Sequence, residues 1–141
     1  MKICIVGGGS TYTPELIEGL INISTVVPIE KIVMLDVPAS EAKFKIVSAF
    51  AQRMLRKAKS DINLLTTMDA RGAFADADYI ILQLRAGHMQ GRIKDEKIPL
   101  EFGLIGQETT GMGCMACALR GMPILQSYIE LARQVSDAWI I

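Results

Sequence analysis

What the sequence lacks first is charge of one sign: 15 Lys+Arg stand against 15 Asp+Glu in 141 residues. A nucleic-acid or anionic-membrane surface needs a basic excess, so neither partner has an electrostatic footprint here. Cysteine is scarce and odd in number, three, at positions 4, 114 and 117, which excludes a disulfide framework. Histidine is confined to His88. Tetrahedral zinc asks for four ligands, so Cys114-x-x-Cys117 reads as two small residues on a helix, and no metal site is assigned. No apolar stretch approaches the roughly 18 residues of a membrane span. The opening apolar run, Ile3 to Val6, is too short for a signal peptide and leads straight into Gly7-Gly8-Gly9, so the expected location is the cytoplasm. Disorder is excluded as well, because half the residues are apolar and the charges cancel.

What is present is alternation. Short β-branched or apolar runs at residues 2–6, 31–37, 62–66 and 79–84 read as strands, and Trp139-Ile140-Ile141 opens a fifth. Between them lie helical patterns. Thr13 caps the first helix, with Pro14 preorganised in its first turn. Ser40 caps the second, whose Phe44, Val47, Ala51, Met54, Leu55 and Ala58 recur at helical spacing. The basic residues on its other face (Lys43, Lys45, Arg53, Arg56, Lys57, Lys59) form a solvated stripe. A short helical segment is expected over 70–77, a polar loop over 87–97, and a helix over 114–135. That last helix places Leu119, Met122, Leu125, Ile129 and Ala132 on one side. Strands apolar on both faces and separated by helices predict an α/β fold, a doubly wound Rossmann-type parallel sheet. No repeat or linker divides the chain, so residues 1–141 read as one Rossmann-like domain. A core strand that stops without a turn suggests a fragment whose carboxyl-terminal catalytic part is missing.

Gly7-Gly8-Gly9 sits after the first strand and before the first helix, where a tight turn brings backbone N–H groups to a pyrophosphate. Three glycines alone are weak evidence, since strand-to-helix turns use them for geometry. Asp36 adds weight, because an acid ending the second strand accepts hydrogen bonds from the adenosine ribose hydroxyls. An acid there favours NAD over NADP, whose 2′-phosphate it would repel. The fingerprint has one departure: Tyr12 stands where a small residue normally allows close helix–strand packing.

Three blocks go further. Gly7 to Glu15 (GGGSTYTPE), Arg92 to Leu100 (RIKDEKIPL) and Gly106 to Gly111 (GQETTG) resemble, in order and spacing, glycoside hydrolase family 4, the NAD-dependent glycosidases. Thr109-Thr110 and Ala118-Leu119-Arg120 look most like its 6-phospho-β-glucosidase branch. The resemblance implies oxidation of the sugar at C3 by NAD, abstraction of the C2 proton by a tyrosine, elimination, and a divalent metal, usually Mn²⁺, as Lewis acid. It implies a phosphorylated disaccharide or β-glucoside as substrate and a homo-oligomeric enzyme.

Carried over residue by residue, the resemblance implies that Gly7, Gly8, Gly9, Ser10, Thr11 and Asp36 hold the cofactor. Gln83 and Arg85 line the nicotinamide-ribose side. Arg92 binds substrate, against the plainer role of an ion pair with Asp95 or Glu96. Glu108 raises the basicity of the catalytic tyrosine. That tyrosine and the family's metal-binding Cys and His correspond to positions beyond residue 141, so the fragment by itself is expected to be inactive. Two departures stand out: Gly111-Met112-Gly113-Cys114 replaces Gly-Pro-Gly-Gly, and Gly87-His88 replaces two glycines, with His88 read as an exposed loop residue. The alternatives are an NAD-dependent 2-hydroxy acid dehydrogenase of the lactate/malate type, which shares the fold but needs a catalytic His, and a nucleotide-sensing regulatory domain.

Overall fold

The computed structural model describes every residue, Met1–Ile141. Its elements run β1 (Lys2–Val6), α1 (Thr13–Ile23), β2 (Lys31–Leu35), α2 (Glu41–Lys57), β3 (Asn63–Thr67), α3 (Ala70–Phe74), β4 (Tyr79–Leu82), α4 (His88–Glu101), α5 (Gly111–Val135) and β5 (Trp139–Ile140). All five strands pair in parallel, in the order β3-β2-β1-β4-β5. The chain forms two compact units, one of residues 1–84 and 130–141, the other of residues 85–129. No helix is long and apolar enough to cross a membrane.

In the first unit the β-branched runs dictate the centre. Ile3, Cys4, Ile5 and Val6 of β1 and Ile32, Val33, Met34 and Leu35 of β2 are all buried, as strands covered on both faces require. Helix α2 turns Phe44, Val47, Ser48, Ala51 and Leu55 inward, three or four residues apart, and leaves its basic stripe in solvent. Ile17 of α1, Ile5 and Ile32 join the same core. Fully burying each such side chain contributes about 1.5–3 kcal/mol, so packing, more than helix propensity, fixes where α1 and α2 lie.

Several local expectations are corrected. The strand at 63–67 is an edge strand, with Asn63, Leu65 and Thr66 exposed, and is not apolar on both faces. Thr13 does not cap α1: it is fully buried as the helix's first residue, and Tyr12 occupies the cap position without a side-chain bond. Ser40 makes no capping bond either, because a 3₁₀ turn, Pro38–Ser40, runs directly into α2. The side-chain cap belongs instead to Asp69, which accepts from the Arg71 and Gly72 amides at 3.1 Å each and opens α3.

Residues 87–97 are not a loop but the greater part of α4. Its buried positions are Gly91, Asp95 and Pro99, spaced by four, so its inward face carries almost no hydrophobic signal. Helix α5 begins at Gly111, earlier than expected. Of its anticipated core face only Ala132 is buried; Leu119 and Met122 are 62% and 59% exposed. Those two belong to the second unit, which supplies no sheet for an apolar helix face to cover.

Candidate functional sites

The strand order creates a switch point between β1 and β4, because β1 leads through α1 to β2 on one side while β4 pairs on the other. Ligands of open parallel sheets bind at the carboxyl edge there. The glycine loop leaves β1 at that edge. Gly7 takes φ +80°, a left-handed conformation that L side chains rarely adopt, and a Cβ on it would collide with the Gln83 carbonyl. The Gly7 and Gly8 amides both donate to the Leu35 carbonyl at 2.9 Å. A Cβ on Gly9 would stand 2.7 Å from Asp36 Oδ2 and 3.1 Å from Phe44 Cα. The glycines thus let the loop lie flat on β2, β4 and α2.

Asp36 fastens that loop. It is only 9% exposed; Oδ2 accepts from the Gly9 amide at 2.6 Å and Oδ1 from the Val37 amide at 2.8 Å. Each carboxylate oxygen keeps a second lone pair. On the other side Gln83, directly after β4, donates from Nε2 to Thr13 Oγ1 at 2.8 Å, tying the strand edge to the start of α1. Of the loop amides, Ser10 donates to the Gly7 carbonyl, Tyr12 to Ser10 Oγ and Thr13 to the Ser10 carbonyl. The Thr11 amide has no acceptor within the chain, which leaves a donor at the amino end of α1 for an anion. Tyr12 resolves the fingerprint's departure: it projects outward, 66% exposed, and the buried Thr13 takes the close-packing position. These residues fit a dinucleotide. Gly7 to Thr11, Asp36 and Gln83 are brought together around one strand edge.

In the second unit the other predicted residues also gather. Glu108 pairs with Arg85 through Oε1 and with Arg92 Nη2 through Oε2 at 3.0 Å, while Arg92 Nε donates to Glu96 at 2.7 Å. Arg92 therefore makes the ion pair with Glu96 and a second pair with Glu108. Asp95 is taken by Arg120. Arg120 holds it with both terminal nitrogens, Nη1 at 2.7 Å, and donates from Nε to the Ala86 carbonyl at 2.8 Å. The bond from Arg120 keeps the Asp95 carboxyl below the usual carboxylate range, against the opposing effect of desolvation. This pair escaped sequence reasoning, since 25 residues separate its members and the blocks that hold them do not say which side chains meet.

His88 is exposed at the start of α4. Cys114 and Cys117 are half-buried on α5, and Cys4 is buried, its thiol pushed up to about 12 by desolvation. No three His, Cys, Asp or Glu side chains come together as a metal site, so these residues do not fit a manganese ion.

The model of the family 4 glycosyl hydrolases matches residues 2–141. The chain belongs to this family. Among curated relatives, the 6-phospho-beta-glucosidase of Thermotoga maritima is 45% identical over the whole chain, which spans 33% of that enzyme. Its structure with NAD and glucose-6-phosphate superposes with a TM-score of 0.92, covering 99% of this chain and 33% of the other; it has also been solved with manganese. A 6-phospho-alpha-glucosidase from gut microorganisms, in complex with NAD and Mn²⁺, is 37% identical with a TM-score of 0.91, over 99% of this chain and 32% of that one. Malate dehydrogenase from Salinibacter ruber, 13% identical with a TM-score of 0.63 over 99% of this chain and 35% of its own, shares the fold alone. The chain thus spans about a third of the curated relatives it matches. In this chain that third contains the parallel sheet with its switch-point loop and the arginine–glutamate cluster of residues 85–108.

Proposed function

We propose that residues 1–141 are the NAD-binding part of a 6-phospho-β-glucosidase that hydrolyses phosphorylated β-glucosides by oxidation and elimination. The observation that carries the reading is the glycine loop at the switch point with Asp36 bonded into it. NAD⁺, when bound, supplies the hydride acceptor for the sugar. The free Thr11 amide and the amino end of α1 would take its pyrophosphate. The remaining lone pairs of Asp36 would take the adenosine ribose hydroxyls and repel a 2′-phosphate. Gln83 and Arg85 would line the nicotinamide-ribose side. Arg92, 41% exposed at its side chain, presents a guanidinium for sugar or phosphate oxygens. Glu108 is the acid assigned to the proton-abstraction step, where a negative neighbour raises the pKa of a base. The relatives solved with Mn²⁺ bring a divalent metal into the proposal, but no step is derived through residues of this chain.

The experiment is calorimetric titration of the chain with NAD⁺ and NADP⁺. Saturable NAD⁺ binding, at least about tenfold tighter than NADP⁺, is the expected result, as an acid at the ribose dictates. A chimaera in which residues 1–141 replace the matching third of the Thermotoga maritima enzyme should then cleave a 6-phospho-β-glucoside in an NAD⁺-dependent manner. Preference for NADP⁺, or oxidation of a 2-hydroxy acid by the chimaera without glycoside cleavage, overturns the reading.

A further inference from the structure

The buried positions of α4, Gly91, Asp95 and Pro99, offer α5 no large apolar side chain to pack on. What lies against them is Arg120. A Cβ on Gly87 would stand 3.0 Å from Arg120 Nε and 3.2 Å from its Cδ. A Cβ on Gly91 would stand 3.1 Å from both Cζ and Nη2 of the same guanidinium. The two glycines therefore make a slot for the arginine, and a side chain at either would compete with it for space. Gly113 lets the start of α5 come close, since a Cβ there would lie 3.0 Å from the Asp95 carbonyl. Within the slot Arg120 meets three acceptors. Its Nε donates to the Ala86 carbonyl at 2.8 Å, and Nη1 and Nη2 donate to the two oxygens of Asp95, whose side chain is 3% exposed.

Stability alone does not explain this choice of residues. Exchanging a buried ion pair for apolar side chains of similar volume is often neutral or stabilising, because two charges no longer have to leave water. Apolar packing does not supply direction. A planar guanidinium holds its acceptors at fixed angles, here one on the turn after β4 and two on α4. Arg85 directly precedes Ala86 in that turn, and Arg92 lies just under one helical turn before Asp95. We infer that Arg120 is a positioning residue: by gripping Ala86 and Asp95 together it sets Arg85 and Arg92 at the separation from which both reach Glu108. Two guanidinium groups from different segments are thereby delivered to one place by a third. What Arg85 and Arg92 bind rests on the proposed glucosidase reading, whereas the brace rests on residues 86–120 alone.

The test reads the brace in the chain itself, without NAD⁺ or sugar, through the Nε–H resonances of Arg85 and Arg92. Arg120→Lys keeps a charge for Asp95, but one compact ammonium cannot stand at the Nε and Nη positions together. The Arg85 resonance should then move while that of Arg92 stays. Arg120→Met combined with Asp95→Leu removes both grips and leaves no unpaired charge. Its Tm should stay within about 5 °C of the unmodified chain, yet both resonances should move. In the chimaera with the Thermotoga maritima enzyme, the same double variant should raise KM for a 6-phospho-β-glucoside about tenfold, with kcat changed less than about threefold. Both resonances unmoved in the double variant, or the Arg85 resonance unmoved in Arg120→Lys, overturns the positioning role. Should the double variant fail to fold, Arg120→Lys decides alone. An unmodified chimaera that cleaves no 6-phospho-β-glucoside counts against the glucosidase reading and leaves the resonance result standing.

Discussion

Asp36→Ala separates the two roles of that carboxylate. In the native fold it accepts two amide hydrogen bonds, from Gly9 at 2.6 Å and from Val37 at 2.8 Å. Bonds to a charged acceptor are worth about 1.5–3 kcal/mol each, and an orphaned buried donor costs about 1–3 kcal/mol. The Val37 amide is only partly buried and turns to water once the carboxylate is gone, whereas the Gly9 bond is buried and its amide stays unpaired. The net loss is then about 2–4 kcal/mol, dominated by Gly9. At roughly 3–4 °C per kcal/mol for a chain of this size, Tm should fall by about 6–15 °C. Asp36→Asn keeps one acceptor and turns an NH₂ against the other amide, so its loss should be smaller, about 1–3 kcal/mol. Ribose binding is read separately, below the unfolding transition. NAD⁺ affinity in Asp36→Ala should drop by about 1–3 kcal/mol, roughly 5- to 150-fold. Thermal unfolding by circular dichroism and calorimetric titration make the two measurements. An unchanged Tm refutes the loop-fastening argument, and an unchanged NAD⁺ affinity in a folded variant refutes the ribose assignment.

Three further outcomes follow from the geometry. Gly7→Ala should destabilise by about 1–3 kcal/mol or more, since the left-handed backbone and the Gln83 carbonyl both oppose a Cβ; denaturant unfolding with an unchanged midpoint contradicts this. The Asp95 carboxyl has its folded pKa depressed by Arg120, so its contribution is present above the unfolded value of about 4 and is lost as pH falls through the folded value. Tm of the native chain should therefore fall more steeply below about pH 4 than that of Asp95→Asn, and parallel curves would discount the pair. Cys4, buried with its thiol pushed up to about 12, should resist iodoacetamide at neutral pH while Cys114 and Cys117 react; mass mapping that finds Cys4 alkylated in folded protein contradicts the burial.

The first unit was legible because its signals are local and apolar. Ile3 to Val6 and Ile32 to Leu35 announce buried strands, the glycines announce a turn, and Asp36 stands where the second strand ends. What could not be read was the partner each polar group chooses. Thr13 has the look of a cap, yet its hydroxyl is taken by Gln83, 70 residues away. Helix α4 was invisible for a related reason. Its inward residues are a glycine, a proline and an aspartate neutralised by Arg120, so hydrophobic periodicity had nothing to register. The apolar residues of α5 misled in the opposite direction, because Leu119 and Met122 fit a core pattern but remain exposed. Arg85, Arg92 and Glu108 were each singled out by the family resemblance, for separate roles, whereas their meeting on one carboxylate is a three-dimensional fact.

The order of the strands also dictates a schedule for folding. Strand β1 is flanked by β2 and β4, and Ile3 pairs with Ile32 on one side but with Tyr79 on the other. During synthesis the pairing with β2 becomes available first, through a short loop closure. The second neighbour must wait until β4 has been made, and it closes a much longer loop at greater entropic cost. Through that interval β1, whose Ile3 to Val6 are all buried in the finished sheet, presents a full edge of unpaired amides and carbonyls. An exposed edge of this kind is the template on which nascent chains mispair. The arrival of β4 therefore does two things in one step: it sets Gln83 beside the glycine loop and ends the period in which the chain is most prone to aggregate.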